Sequence, residues 1–324
     1  MRFSELDTHL PDLLSNVIEE TDCPLPKKVG KVRDIYEGEK HLALVSTDRL
    51  SAFDRSVTTI PLKGRILNLL SAWWFAETRH IIDNHLVSIP HPNVLIARKC
   101  RPIPVEFVVR GHMTGSTSTS LWTHYKRGVR EYCGNRIADG LRKNDRLPTP
   151  ILTPTTKDEH DEPISGAEAI ERGLIDPQTW EKASATAIAL FRCGSEVAEK
   201  AGYVLADTKY EMGVDESGNL LLIDEIHTPD SSRFWKAASL PGRLARGEEP
   251  ESADKEFLRL WYADRCDPYK EEVLPPAPDE LRLELTQRYF GIYSALTGGK
   301  EIPYDRAESP HKAIAEAVQK VESL

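Results

Sequence analysis

Apolar and polar positions along the 324-residue chain follow two rhythms, one repeating every second residue and one near every 3.6. The two-residue rhythm is clearest from Tyr203 to Val214, which predicts one long strand. Alternation places Asp207, Lys209 and Glu211 on a single face of it. Asp215 to Asn219 carries turn residues, and Leu220 to Ile226 predicts a second strand, apolar except for Asp224 and Glu225. If Val214 opposes Leu221, Glu211 lies across from Asp224; a slip of one residue turns Asp224 to the other face. Two facing carboxylates repel unless a hard divalent cation sits between them. Lys209 then lies beside whatever anion the cation holds. The plainer alternative is a solvated hairpin face on which Lys209 offsets its neighbours. Asp230, Ser231, Ser232 and Arg233 crowd the loop beyond, where a rigid sheet can present them.

Upstream, Val29 to Tyr36 and Leu42 to Ser46 predict a hairpin. Gly30 allows close approach of the backbone to an anion, and Lys31 and Arg33 share one strand face; an exposed basic strand fits the same residues. The spacing is not that of a Walker A loop. Ile66, Leu69, Leu70, Trp73 and Trp74 recur at helical spacing and predict a helix to about Ile82, its tryptophans in the core. Apolar strands at Val94–Ala97 and Val105–Val109 are joined by Arg98 to Pro104, whose two prolines suggest a stiff hinge between lobes. Arg110 to Thr119, rich in glycine and hydroxyls, precedes a helix over about Ser120–Lys126. That layout suits a carboxylate or phosphate, and equally an ordinary capped loop. Residues 128–150 predict an exposed excursion, and a loop dense in charge follows, with Lys157, His160 and Asp161; His160 reads as a surface histidine. Ser165 to Glu168 forms a capping box, and Asp176-Pro177 opens a longer helix that Gly202 ends. Helices near Asp254–Ala263, Asp279–Leu296 and Pro310–Glu322 close the chain.

A net charge of −9 argues against general nucleic-acid binding. Forty per cent hydrophobic and 29% charged residues, over this length, allow two domains with a sizeable core. Five scattered cysteines, odd in number, fit reduced thiols in a cytoplasmic protein, with neither a zinc site nor a disulfide framework. No apolar run approaches a membrane span, and the N-terminus lacks the layout of a signal peptide.

The stretches GKVRDIYE, STDRLSAFD, VEFVVRGHMTGS, TPTTKDEHDE, ADTKYEMG and LLIDEIHTPDSSRFW are each modest as signals. Taken in this order, across about residues 29–298, they resemble the phosphoribosylaminoimidazole-succinocarboxamide synthase (SAICAR synthetase) family. The resemblance implies an ATP- and Mg²⁺-dependent ligase that joins L-aspartate to a carboxylated aminoimidazole ribotide, releasing ADP and phosphate, in purine biosynthesis. It implies an α+β fold of two lobes, kinase-like or ATP-grasp-like in arrangement. Residues 1–103 would form an antiparallel-sheet ATP-binding lobe, and 104–324 a larger α/β lobe carrying the metal and nucleotide site, with ATP in the cleft between.

Position by position, it assigns Gly30, Lys31 and Arg33 to the ATP phosphates, and Arg98, Lys99 and Cys100, with Glu106 nearby, to adenine. Glu211 and Asp224 match the Mg²⁺-associated carboxylates. Arg110, Ser116, Lys209, Ser232 and Arg233 match the imidazole-nucleotide site, Asp54, Lys157 and Asp161 match further substrate positions, and Asp207 supports Lys209. Lys209, Asp207 and Arg233 are the catalytic candidates. The 128–150 excursion is longer than in compact bacterial members, and the chain lacks the extra carboxylase domain of animal bifunctional forms. The partners implied are small molecules, with no nucleic acid or membrane, in a monomer or homo-oligomer. Two rivals remain. Asp207-x-Lys209 followed by Gly213 also resembles the D-x-K-x-G element of inositol-phosphate kinases, and a non-catalytic nucleotide-binding scaffold would bind ATP without turnover.

Overall fold

The computed structural model describes every residue except Asp54, Glu159, His160, Asp254 and residues 306–309, with Pro11 described in its backbone alone. The expectations on Asp54 and His160 therefore lie outside the described residues. Helix α1 (Leu6–Leu13) leads into β1 (Lys27–Val29), β2 (Arg33–Glu37) and β3 (His41–Ser46), then a hairpin of β4 (Arg49–Ala52) and β5 (Arg55–Thr59). Helix α2 (Lys63–Glu77), β6 (Leu86–His91) and β7 (Val94–Arg98) follow. Strands β1, β2, β3, β7 and β6, in that order, make an antiparallel five-stranded sheet. Lys31 lies in the turn between β1 and β2, not on the expected strand face; Arg33 starts β2.

Helix α2 begins and ends earlier than its hydrophobic spacing predicts. The Thr78 hydroxyl donates to Trp74 O at 2.7 Å and Asn84 Nδ2 donates to Phe75 O at 3.1 Å. These bonds occupy carbonyls that a further turn would need. Trp74 is fully buried and Trp73 packs partly against the same core, as the periodicity implied.

The second sheet has seven strands. Its elements are β8 (Arg101–Pro102), β9 (Val105–His112), β12 (Arg146–Leu152), β13 (Thr155–Thr156), β14 (Tyr203–Val214), β15 (Leu220–Ile223) and β16 (Ser232–Lys236). Strand β14 is its organiser, pairing with β8, β9, β15 and β16, every partner antiparallel. Helix α5 (Pro177–Lys200) lies along it. Asp176 caps α5 by accepting from Thr179 N at 2.9 Å, and Pro177 fills the first turn. Ala183, Ala187, Leu190 and Phe191 form its buried stripe. Gly202, at φ 82°, releases the chain into β14.

Residues 128–150 are not the exposed excursion expected. With α3 (Leu121–Tyr125) and the short β10 (Glu131–Tyr132) and β11 (Asn135–Arg136), they form a small core of Met113, Leu121, Tyr125, Tyr132, Ile137 and Leu147. The turn-rich composition of that stretch hides three widely spaced apolar anchors, Tyr132, Ile137 and Leu147. Helices α4 (Gly166–Glu171), α6 (Leu240–Ala245), α7 (Glu256–Ala263), α8 (Asp279–Thr297) and α9 (Pro310–Gln319) complete the chain. A hydrophobic cluster running from Leu6 to Ile302 joins residues of both large sheets. No helix of the described residues is long and apolar enough to cross a membrane.

At the start of α2 the backbone comes against β3. A Cβ on Gly64 would overlap the Ser46 carbonyl, and a backbone oxygen cannot step aside as a side chain can. Gly64→Ala is expected to cost about 1–3 kcal/mol of stability, read as a lower urea midpoint with an unchanged denaturant slope.

Candidate active site

The observed register differs by one residue from the one that brought Glu211 and Asp224 face to face. Val214 pairs with Leu220 and Glu211 with Ile223, so simple alternation would send Asp224 to the far side. The strand instead stops at Ile223, well short of Ile226, and Asp224 takes a left-handed backbone at φ 68°. Aspartate tolerates that conformation better than most residues, although it still costs of order 1–3 kcal/mol. The bend returns the carboxylate to the Glu211 side. Asp224 Oδ2 lies 3.5 Å from Lys209 Nζ, whose other neighbours are Glu211 Oε1 at 2.5 Å and Glu106 Oε1 at 3.2 Å. The convergence is real; its cause is a backbone turn and not strand pairing.

Around these acids stand three cations. Arg33 Nη1 bonds Asp224 Oδ1 and its Nη2 lies 3.6 Å from Glu225 Oε1, while Lys157 Nζ bonds Glu211 Oε2. Burial opposes the charge on Asp224, but Arg33, Lys209 and Lys157 outweigh it and hold the carboxyl well below the usual range. Burial likewise opposes the Lys209 ammonium, and Asp224, Glu106 and Glu225 override it, raising its pKa. For Lys157 burial prevails and the pKa falls. A narrow crevice lined by Arg33, Ser46, Asn68, Ser71 and Asp224 opens beside this network.

One rung further along β14, the pairing sets Arg110 of β9 opposite Asp207, and Asp207 opposite Arg233 of β16. The carboxylate of Asp207 accepts from both guanidinium groups, at 3.3 Å from Arg110 Nη1 and in a close bond from Arg233 Nη1. Thr153 Oγ1 accepts from Arg110 Nε at 2.8 Å and fixes the second arginine edge. Two arginines thus flank one carboxylate, in a geometry suited to forked recognition of an oxyanion.

The other predicted residues are placed as follows. Arg98 pairs with Asp83 at 2.9 Å and Lys99 with Glu37 at 2.8 Å, so both side chains are turned to surface partners; Cys100 packs within 3.6 Å of Arg98 O. Ser116 is exposed, 3.3 Å from Glu256. Asp161 is exposed on a left-handed backbone. Ser232 is buried, its hydroxyl 2.7 Å from that of Thr208, which alternates away from the Asp207–Lys209 face. Sequence reasoning placed Asp230 in the crowded loop but passed over Glu225, His85, Thr153 and the buried partners of Asp230, Lys63 and Tyr289. Asp230 lies 2.7 Å from both Lys63 Nζ and the Tyr289 hydroxyl, which ties the loop after β15 to α2 and α8. The acidic doublet Asp224-Glu225 was the signal for Glu225; nothing local marks Lys63 or Tyr289.

The SAICAR synthetase family model matches residues 27–276. A phosphoribosylaminoimidazole-succinocarboxamide synthase of Legionella pneumophila is 53% identical over 295 residues, 90% of this chain and 94% of that one. Among solved structures, a SAICAR synthase from Saccharomyces cerevisiae complexed with SAICAR superposes at TM-score 0.76 with 34% identity, covering 88% of this chain and 99% of its own. A SAICAR synthetase in complex with ADP matches at TM-score 0.65 with 26% identity, covering 86% of this chain and 100% of its own. These findings place the protein among the carbon–nitrogen ligases. More narrowly, the chain belongs to the SAICAR synthetase family, whose reaction condenses aspartate in purine biosynthesis.

Three buried histidines frame the site. His85 neighbours Asp224 and Arg33, His112 stacks edge-on to Trp235, and His227 bonds the Tyr210 hydroxyl at 2.6 Å. Burial lowers their pKa values to about 4, 4 and 3. Unfolded, each takes a proton near pH 6.5 that the native ring refuses, so stability falls as pH drops below that value. Buried Asp48 works the other way, its pKa raised to about 6 mainly by desolvation, so the native state holds a proton there that the unfolded chain releases. Between pH 6 and 5 the three histidines outweigh the one aspartate, and unfolding free energy should fall on the order of 2–3 kcal/mol per pH unit. Urea titrations across that range check it; a flat or rising stability toward acid contradicts it.

Proposed function

We propose that this enzyme joins the amine of L-aspartate to the carboxylate of 5-amino-1-(5-phosphoribosyl)imidazole-4-carboxylate, converting ATP to ADP and phosphate and yielding the succinocarboxamide. One observation carries the reading. The mixed-charge set of Arg33, Lys157, Lys209, Glu106, Glu211 and Asp224 lies one strand rung from the Arg110–Asp207–Arg233 fork. The relatives solved with SAICAR and with ADP support both halves of it.

A carboxylate is a poor acylating agent. Transfer of the terminal phosphoryl group of ATP to a substrate carboxylate oxygen gives an acyl phosphate and ADP. The aspartate amine then attacks the acyl carbon, and phosphate leaves as the amide forms and the amine loses its proton. Phosphoryl transfer asks for positioning and charge neutralisation more than for a covalent nucleophile, which matches a site of cations and acids. In this reading the Gly30–Lys31 turn and Arg33 face the ATP phosphates, and Lys209 and Lys157 neutralise the transferring group. Arg110 and Arg233, locked in place by Asp207, grip the carboxylate and phosphate of the ribotide. Ser116, Asp161 and Ser232 remain substrate candidates at its margins, with Asp54 a further one outside the described residues. Since the Arg98 and Lys99 side chains are engaged elsewhere, the linker meets adenine through its backbone and Cys100. Residues 1–103 and 104–324 act as the two lobes around ATP. All five cysteines are free thiols, in keeping with a cytoplasmic setting.

Glu211 and Asp224 fit Mg²⁺. They are hard oxygen donors gathered around one ammonium, and among the described residues no group of three or more His, Cys, Asp or Glu offers a complete protein cage. Mg²⁺ commonly takes one or two carboxylates and leaves its remaining positions to water and phosphate. When bound there it would supply positive charge to the phosphates.

Glu211→Gln is expected to lower kcat by about two to three orders of magnitude, assayed at a temperature where circular dichroism shows the variant folded; Mg²⁺-dependent turnover at the wild-type rate would remove Glu211 from this role. Arg233→Ala should raise the KM for the ribotide by roughly 10- to 100-fold, measured with ATP and aspartate saturating. ADP release with ribotide and aspartate withheld in turn tests the whole reading. Release that needs a polyol, and neither of those two, would mark a kinase instead.

A further inference from the structure

Arg49 opens β4 and is buried, 8% exposed, behind the turn between β1 and β2. Its Nη2 donates to Gly30 O at 3.1 Å and to Asp34 Oδ1 at 2.8 Å, its Nε donates to Lys31 O at 3.3 Å, and its Nη1 donates to Glu19 O. Two residues before it, the Thr47 amide and hydroxyl both donate to Val32 O, at 3.1 and 2.9 Å. Three successive carbonyls of one turn therefore point to the same side, toward residues 47–49. The chain has no cis peptide among the described residues, and in a trans peptide the N–H points opposite to the C=O. The amides of Lys31 and Val32, which share peptide planes with the Gly30 and Lys31 carbonyls, are thus directed away from Arg49. Consecutive amides facing outward from a turn make a concave seat for an anion.

An ion pair alone does not account for this arrangement. Asp34 is already held by the Thr21 amide and hydroxyl, at 2.8 and 2.7 Å. Three of the four Arg49 bonds go to main-chain carbonyls, two of them in the turn itself. A lysine at this position has no fork with which to reach both.

We propose that Arg49 is a positioning residue for nucleotide binding: it fixes the Gly30–Val32 turn with its amides presented to the ATP phosphates. The inference rests on the reading of that turn as the phosphate loop. Titration of ADP into the full-length enzyme, with steady-state kinetics beside it, tests both.

Arg49→Met is expected to weaken ADP binding and raise the KM for ATP about tenfold or more, with the KM values for ribotide and aspartate within about twofold of wild type. Arg49→Lys should recover part of the loss. If Arg49→Met fails to fold because Asp34 is left unpaired, Thr47→Val, which removes one bond to Val32 O, should weaken ADP binding several-fold while KM for the ribotide holds. Lys31→Ala separates the proposal from the reading beneath it. Weakened ADP binding in Lys31→Ala alongside wild-type affinity in folded Arg49→Met or Thr47→Val overturns the role of Arg49 alone. Wild-type affinity in all of them removes the turn from the ATP site, and the proposal with it. An equal rise in the KM for every substrate would mark Arg49 as merely structural.

Discussion

The charged cluster on β14 depends on keeping acids ionised in a place where burial disfavours charge. Asp224 and Glu211 are both largely removed from water, and taking an isolated carboxylate into such surroundings is prohibitive unless it is paired and hydrogen-bonded. Lys209, Lys157 and Arg33 supply those pairs, and each cation is drawn from a different segment of the chain. Remove one member and the others are left as uncompensated charges, so the network holds as a set. This constraint explains why the cluster is built on β14, the strand with most partners. Only a strand paired on both sides, with α5 behind it, can hold such groups at bonding distance against their tendency to seek water.

Much of this could be read from the chain. The alternation over Tyr203 to Val214 gave β14 and the common face of Asp207, Lys209 and Glu211. The caps of α4 and α5 lay where Ser165, Asp176 and Pro177 implied, because capping chemistry is local. What could not be read was set at long range. The hairpin register was off by one, since turn composition does not count the residues in the loop, and only the left-handed Asp224 restored the meeting of the acids. Ser232 meets Thr208 and not the charged row. The small core under residues 128–150 was invisible because its apolar residues follow neither rhythm.

Arg49 shows the same limit from another side. In the sequence it belongs to a polar loop of mixed charge, with no periodicity to mark it as buried. Its role becomes visible only once β4 lies behind the β1–β2 turn and its guanidinium meets the carbonyls there. The fork of Arg110 and Arg233 on Asp207 is a sheet-level feature of the same kind: three residues far apart in the chain share one rung because β9, β14 and β16 are neighbours.

The bond between Arg33 and Asp224 spans 191 positions of chain. A growing polypeptide leaving the ribosome presents the strands of its first sheet long before β14 and the bend at Asp224 exist. Closing so wide a loop is entropically slow and gains nothing until both ends are in place. A chain ending before β14 would carry Arg33 and Lys157 without Glu211 and Asp224, the acids they pair with.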